Sequence, residues 1–165
     1  MSKLVILRGN SGSGKTTVAK KLQEKFGSNT MLISHDLVRK QILHVWSREG
    51  IEKSQPLMIE LLKYGKCNSE ITIMEGILPS KDYAQLFEAA VEEYGSNIYS
   101  YYWDIPFEET LRRHRTKPNR NDFGEEDMRN NKPPAMRVVQ QVLKAQSPFL
   151  YNRGVQATIK ERKGD

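Results

Sequence analysis

The stretch that most constrains this chain is Gly9-Asn10-Ser11-Gly12-Ser13-Gly14-Lys15-Thr16, which matches the spacing G-x-x-x-x-G-K-[ST] at every fixed position. Lys3–Arg8 (KLVILR) before it is a short apolar run that reads as a buried parallel strand. After it, Val18, Leu22 and Phe26 recur at helical spacing until Gly27 stops them. In that order of strand, loop and helix, the glycines let the backbone curl so that successive N–H groups face phosphate oxygens, and the helix adds its positive end. Lys15 is expected to reach the β- and γ-phosphates and Thr16 to place its hydroxyl on Mg²⁺, with Gly9 to Thr17 forming the nucleotide-binding run. A flexible glycine-serine turn would leave the Lys-Thr pair unexplained.

The rest of the chain continues the alternation. Thr30–Ser34 reads as a strand, followed by a helical segment with Leu37, Val38, Ile42 and Val45 on one face. Residues 55–66 read as a helix, Ile71–Met74 as a strand, 81–94 as a helix and Ile98–Trp103 as an aromatic strand. Phe107–Arg115 and Ala135–Gln146 have helical patterns, Val155–Ile159 suits a last strand, and the polar stretch 116–134 reads as a lid. The expected fold is α/β, a three-layer P-loop NTPase domain over residues 1–165 with a parallel sheet of about five strands and helices on both faces.

Composition narrows the setting. At 165 residues and 38% hydrophobic content, one core is expected. No apolar run is long enough to span a bilayer and no leader pattern opens the sequence, so neither membrane nor export is expected. The one cysteine, Cys67, has no partner for a disulfide or a metal site, which suits a reducing cytoplasm and a half-buried thiol. The net charge of +6 is concentrated on either side of an acidic middle. It admits nucleic acid as a partner, but it suits a nucleotide site equally, and the polynucleotide reading is not favoured.

Two acids follow strands where ligands of open α/β sheets collect. Glu75, after an apolar strand, is expected to hold Mg²⁺ through a water molecule in the manner of a Walker-B acid, with a carboxylate of no chemical role as the plainer alternative. Asp36, after the second strand, is expected to take the acceptor's proton, with an N-cap role as the plainer alternative. Arg39 shares its helical face and either positions a substrate or γ-phosphate or pairs with Asp36. Arg112, Arg113, Arg115 and Arg120 are candidates for stabilising the transferred charge, one or two of them functional. His35, His44 and His114 read as structural, and Tyr99, Tyr101, Tyr102 and Trp103 as core.

With the phosphate loop, Asp36-Leu37-Val38-Arg39, Met74-Glu75-Gly76-Ile77-Leu78 and Glu109–Arg115 in view, the chain resembles the small bacterial P-loop kinases. That group contains chloramphenicol phosphotransferase, the kinase half of polynucleotide kinase, the zeta toxins and chains labelled kinase or uridine kinase. The resemblance covers roughly residues 1–130 and departs at Asn130-Asn131-Lys132-Pro133-Pro134, where the relatives are more aromatic. It implies ATP and Mg²⁺ as cofactors, Asp36 as base, Arg39 on acceptor or phosphate, and a lid arginine among Arg112, Arg115 and Arg120. The expected activity is transfer of the γ-phosphoryl of ATP to a small-molecule hydroxyl by a monomer or homodimer. A polynucleotide 5′-hydroxyl kinase and a slowly hydrolysing nucleotide switch are the alternatives.

Overall fold

A computed structural model of the chain describes residues 1–103 together with residues 105, 108, 109 and 112. Its elements run β1 (Lys3–Gly9), α1 (Lys15–Phe26), β2 (Thr30–Ser34), α2 (His35–Leu37) passing into a π-helical turn (Val38–Ile42), α3 (Ser47–Asn68), β3 (Ile71–Gly76), α4 (Ala84–Tyr94) and β4 (Ile98–Trp103). The strands form one sheet in the order β2-β3-β1-β4, and every neighbouring pair is parallel. Parallel neighbours cannot be joined by a tight turn, so each connection crosses a face of the sheet through a helix.

Alternation along the strands divides the core in two. Leu4, Ile6, Ile33 and Met74 face α3 and α4, where they meet Met58, Leu62, Leu86, Phe87 and Ala90. Leu7 and Ile73 face α1 and pack on Ala19, with Val18 and Leu22 closing the edge. Both faces are therefore covered, as expected, and this explains why the strands read as unbroken apolar runs. Each of the fully buried Leu, Ile and Met side chains contributes about 1.5–3 kcal/mol through burial alone. Four strands are described; the expected fifth, Val155–Ile159, lies outside the described residues, as do the lid at 116–134 and the helix Ala135–Gln146.

Several expectations are corrected. α3 begins eight residues before the expected start at 55 and carries Pro56 inside it. Its buried stripe is Gly50, Ser54, Met58, Leu62 and Gly65, so the first two members have no apolar side chain for a periodicity argument to detect. α4 starts at Ala84 rather than 81, because the Pro79 carbonyl takes the amides of Asp82 and Tyr83 in a turn of its own. Of the apolar residues expected on one face after β2, only Val38 is buried; Leu37 and Ile42 are exposed, since the π-helical turn changes the phase of the expected face. Cys67 is exposed rather than half-buried. Tyr101 and Trp103 pack on the α1 side of the core as expected, whereas Tyr99 is exposed.

Gly65 brings α3 close to the sheet: a Cβ there would overlap Thr72 Oγ1 and come within 3.2 Å of Met31 Sδ. Thr72 Oγ1 already accepts a hydrogen bond from the buried Tyr94 hydroxyl (2.9 Å), so it has little freedom to move. Gly65→Ala is expected to lower stability by about 1–3 kcal/mol through overpacking, read as a lower urea midpoint with an unchanged slope.

Candidate active site

The parallel register lines up the ends of three strands. Leu7 of β1 and Ser34 of β2 both stand beside Glu75 of β3, and Gly9 stands beside Trp103 of β4. Gly9 has φ +147°, and a Cβ there would lie 2.8 Å from both the Cβ and the carbonyl oxygen of Trp103, so only glycine lets β1 turn into the loop against β4. Gly12 and Gly14 are left-handed as well (φ +78° and +92°). Gly14 stands at the N-cap of α1, where no side chain makes a capping hydrogen bond and no acid occupies the first turn. The positive end of a 12-residue helix thus opens onto the loop, an arrangement suited to a phosphate.

Lys15 is buried, and its ammonium donates to the Asn10 carbonyl (2.7 Å) and to Ser13 Oγ (3.2 Å). Asn10 Oδ1 is buried with no hydrogen-bond partner, an orphaned acceptor within the loop. Ser13 is buried, Ser11 is half-buried, and Thr16 and Thr17 are exposed. Left-handed glycines, a lysine ammonium, an orphaned polar atom and an uncapped helix end thus gather within Gly9 to Thr17, the chemistry a phosphate-binding loop uses.

Glu75 ties this cradle to the neighbouring strand. Its side chain is buried, and Oε1 accepts from Thr16 Oγ1 (3.2 Å) and from Ser34 Oγ (2.5 Å). A buried carboxylate needs such donors, because an unpaired one costs several kcal/mol. Thr16 and Glu75 together offer hard oxygen donors that could hold Mg²⁺, an ion that keeps most of its water and phosphate ligands and needs only one or two from protein. Among the described residues no cluster of three His, Cys, Asp or Glu side chains offers a separate metal site. Ser34 was not singled out from the sequence, although its place at the carboxyl end of β2, just before Asp36, was the available signal.

Asp36 lies in the first turn of α2, and no side chain caps that helix; the capping alternative is therefore not what the carboxylate does. It is 65% exposed and pairs with Lys40 (3.6 Å), with His35 Nδ1 at 3.9 Å, while Arg39 does not pair with it. Arg39 instead donates from Nη2 to the Ser47 carbonyl (3.1 Å) at the start of α3. His35 is buried, its Nε2 lies 2.5 Å from the Tyr83 hydroxyl, and that hydroxyl lies 3.3 Å from Ser54 Oγ. Burial pulls the His35 imidazole down to about 4; Asp36 opposes this, while Arg39, Lys40 and Lys15 add to it.

The turn that carries Tyr83 is held from β1. Arg8 is buried and donates from Nη2 to the Leu78 carbonyl (2.5 Å) and Ser80 Oγ (3.1 Å), with its guanidinium over the Phe87 ring. Burial lowers it to about 10. Leu78 is left-handed (φ +44°), a costly state for a branched side chain that these contacts maintain. Arg112 forms a two-pronged pair with Glu109 (2.7 and 2.8 Å) on the surface. Arg113, Arg115, Arg120 and His114 lie outside the described residues, and His44 is an exposed residue edge-on to Trp46.

A family model described as an AAA domain matches residues 4–146. The chain belongs to this AAA-domain family. Among solved structures, this AAA-domain chain is similar to APE1195, with a TM-score of 0.61 at 18% identity over 96% of this chain and 97% of that one. It is similar to a gluconokinase from Sinorhizobium meliloti 1021, with a TM-score of 0.56 at 16% identity over 90% and 91%. A third likeness is to a chain of the Pnkp1/Rnl/Hen1 RNA repair complex, with a TM-score of 0.55 at 18% identity. It covers 93% of this chain and spans under half, 46%, of that one. No curated protein matches the sequence significantly. At these identities the structural likenesses concern the fold, and they agree with the resemblance to small P-loop kinases. Among the described residues no helix is long and apolar enough to cross a membrane.

The buried imidazole makes stability depend on pH with a definite sign. Above pH 6.5 His35 is neutral in both the folded and the unfolded chain; below it the unfolded chain takes up the proton first, so stability falls until the pH nears 4. This contribution amounts to about 3 kcal/mol by pH 4. Urea midpoints measured from pH 7.5 to 4 are expected to fall less steeply in His35→Gln than in the wild type.

Proposed function

We propose that the chain is an ATP-dependent phosphotransferase that moves the γ-phosphoryl of ATP to a hydroxyl of a small molecule such as a nucleoside, sugar or antibiotic. The observation that carries this reading is the Thr16–Glu75–Ser34 junction, which joins the phosphate cradle to the strand that delivers Asp36. A hydrolase or switch needs the cradle and the acid; an exposed carboxylate and an arginine one turn apart, beside that junction, suit a docked acceptor. Residues 1–165 form one kinase domain in this reading, with 116–134 as its lid.

In the transfer, the acceptor oxygen forms a bond to the γ-phosphorus while the bond from that phosphorus to the bridging oxygen breaks, leaving ADP. Asp36 removes the proton of the acceptor hydroxyl. Lys15 and the loop amides hold the phosphates, and Arg39 holds the phosphoryl group being passed or the acceptor beside it. Thr16 and Glu75 hold Mg²⁺, which when bound offsets charge on the phosphate oxygens. One or two of Arg112, Arg115 and Arg120 add charge from the lid side. His35, clamped by Tyr83, fixes the backbone from which Asp36 projects.

The fold likeness to a chain of an RNA repair complex keeps a polynucleotide 5′-hydroxyl as the second acceptor class. A transfer screen with labelled ATP against nucleosides, sugars, antibiotics and oligonucleotides separates the two, and no transfer to any of them would leave the switch. Asp36→Asn is expected to keep ATP affinity and to lower turnover by about 10²-fold or more; unchanged turnover would remove the base. Lys15→Ala is expected to weaken both nucleotide binding and rate, which equilibrium titration and initial rates would read separately.

A further inference from the structure

Gly50 occupies the first turn of α3 and is buried, yet its backbone is ordinary helix, with its amide donating to the Trp46 carbonyl at 3.0 Å. Glycine is among the least favourable residues in such a position and alanine the best, so conformation does not explain it. Space does. A Cβ at residue 50 would stand 2.6 Å from Arg39 Nε, 2.7 Å from Nη2 and 3.1 Å from Cζ. The Nε–Nη2 edge of the guanidinium therefore points directly at the bare backbone of α3.

The contact holds Arg39 in an arrangement that electrostatics alone would not choose. A cation sits against the N-terminal turn of a 22-residue helix, the positive end of its dipole, and Arg39 Nε is buried there with no hydrogen-bond partner. Among the described residues, the Ser47 carbonyl, on a residue with left-handed φ of +56°, is the one acceptor for this head group, at 3.1 Å. The widened π-helical turn supplies the other side, with the Val45 amide donating to the Arg39 carbonyl at 2.9 Å. We propose that Gly50 is a positioning residue: its missing side chain sets where the Arg39 guanidinium stands, and hence how it meets the transferred phosphoryl group. This rests on the role given to Arg39 above. Because the colliding atoms are the far end of a flexible side chain, a methyl group at residue 50 would displace Arg39 rather than break the helix.

The test is a double-mutant cycle in the full chain with Gly50→Ala, Arg39→Ala and both, read by release of phosphate from MgATP to water, by MgADP affinity and by thermal melting. Gly50→Ala is expected to slow release about 10-fold or more with MgADP affinity unchanged, and to have no further effect once Arg39 is alanine. In the Arg39→Ala background it should raise the melting temperature by about 2–4 °C, the gain that alanine brings a helix in a chain of this size, and that gain should be smaller or absent when Arg39 is present. A Gly50→Ala chain as fast as wild type beside a slow Arg39→Ala chain would overturn the proposal while leaving the kinase reading intact. Equal slowing by Gly50→Ala in both backgrounds would overturn it too. An Arg39→Ala chain at the wild-type rate would instead remove the role of Arg39 itself, and the positioning role with it.

Discussion

The site depends on a buried carboxylate. Glu75 ends β3 inside the protein, and a charge there is tolerable only if donors reach it. Two hydroxyls do so, from Thr16 at the start of α1 and Ser34 at the end of β2. Satisfying one carboxylate thus ties together the placement of three elements, α1, β2 and β3. The parallel register of β1, β2 and β3 makes this possible by ending the strands side by side.

Around that centre lies a second layer that works by restraint. Arg8 ties the turn after β3 to β1, and the turn presents Tyr83 to His35, which directly precedes Asp36. Ser54 of α3 meets the same hydroxyl. The chain of contacts thus runs from the strand before the phosphate loop to the exposed carboxylate. Its members are buried, so their geometry is shared with the core, while Asp36 itself remains open to an incoming molecule. In the proposed transfer, an accessible carboxylate on a buried, hydrogen-bonded support would suit positioned proton removal.

How much of this was legible beforehand differs by residue. The loop was legible because its pattern is local: glycines, lysine and threonine stand at fixed offsets along one turn, and the places of Glu75 and Asp36 at strand ends follow from the rule that ligands gather there. The early part of α3 was missed because Gly50 and Ser54 replace the apolar side chains that reveal a buried helical face. Tyr83 was placed within a helix, but the Pro79 carbonyl captures its amide and turns the ring inward. The pairing of Asp36 with Lys40 instead of Arg39 follows from α3, whose first turn draws the arginine away.

The sequence by itself determined the strand, loop and helix alternation, the phosphate cradle and the acids at the strand ends, because each follows from periodicity or spacing within a few residues. Only the tertiary structure decided which hydroxyls satisfy Glu75, that His35 is a neutral buried clamp, and that Arg39 lies on the bare backbone of Gly50. Those are contacts between residues 8 to 59 positions apart, and their partners are chosen by strand register and by the space left between packed elements, neither of which a local pattern contains.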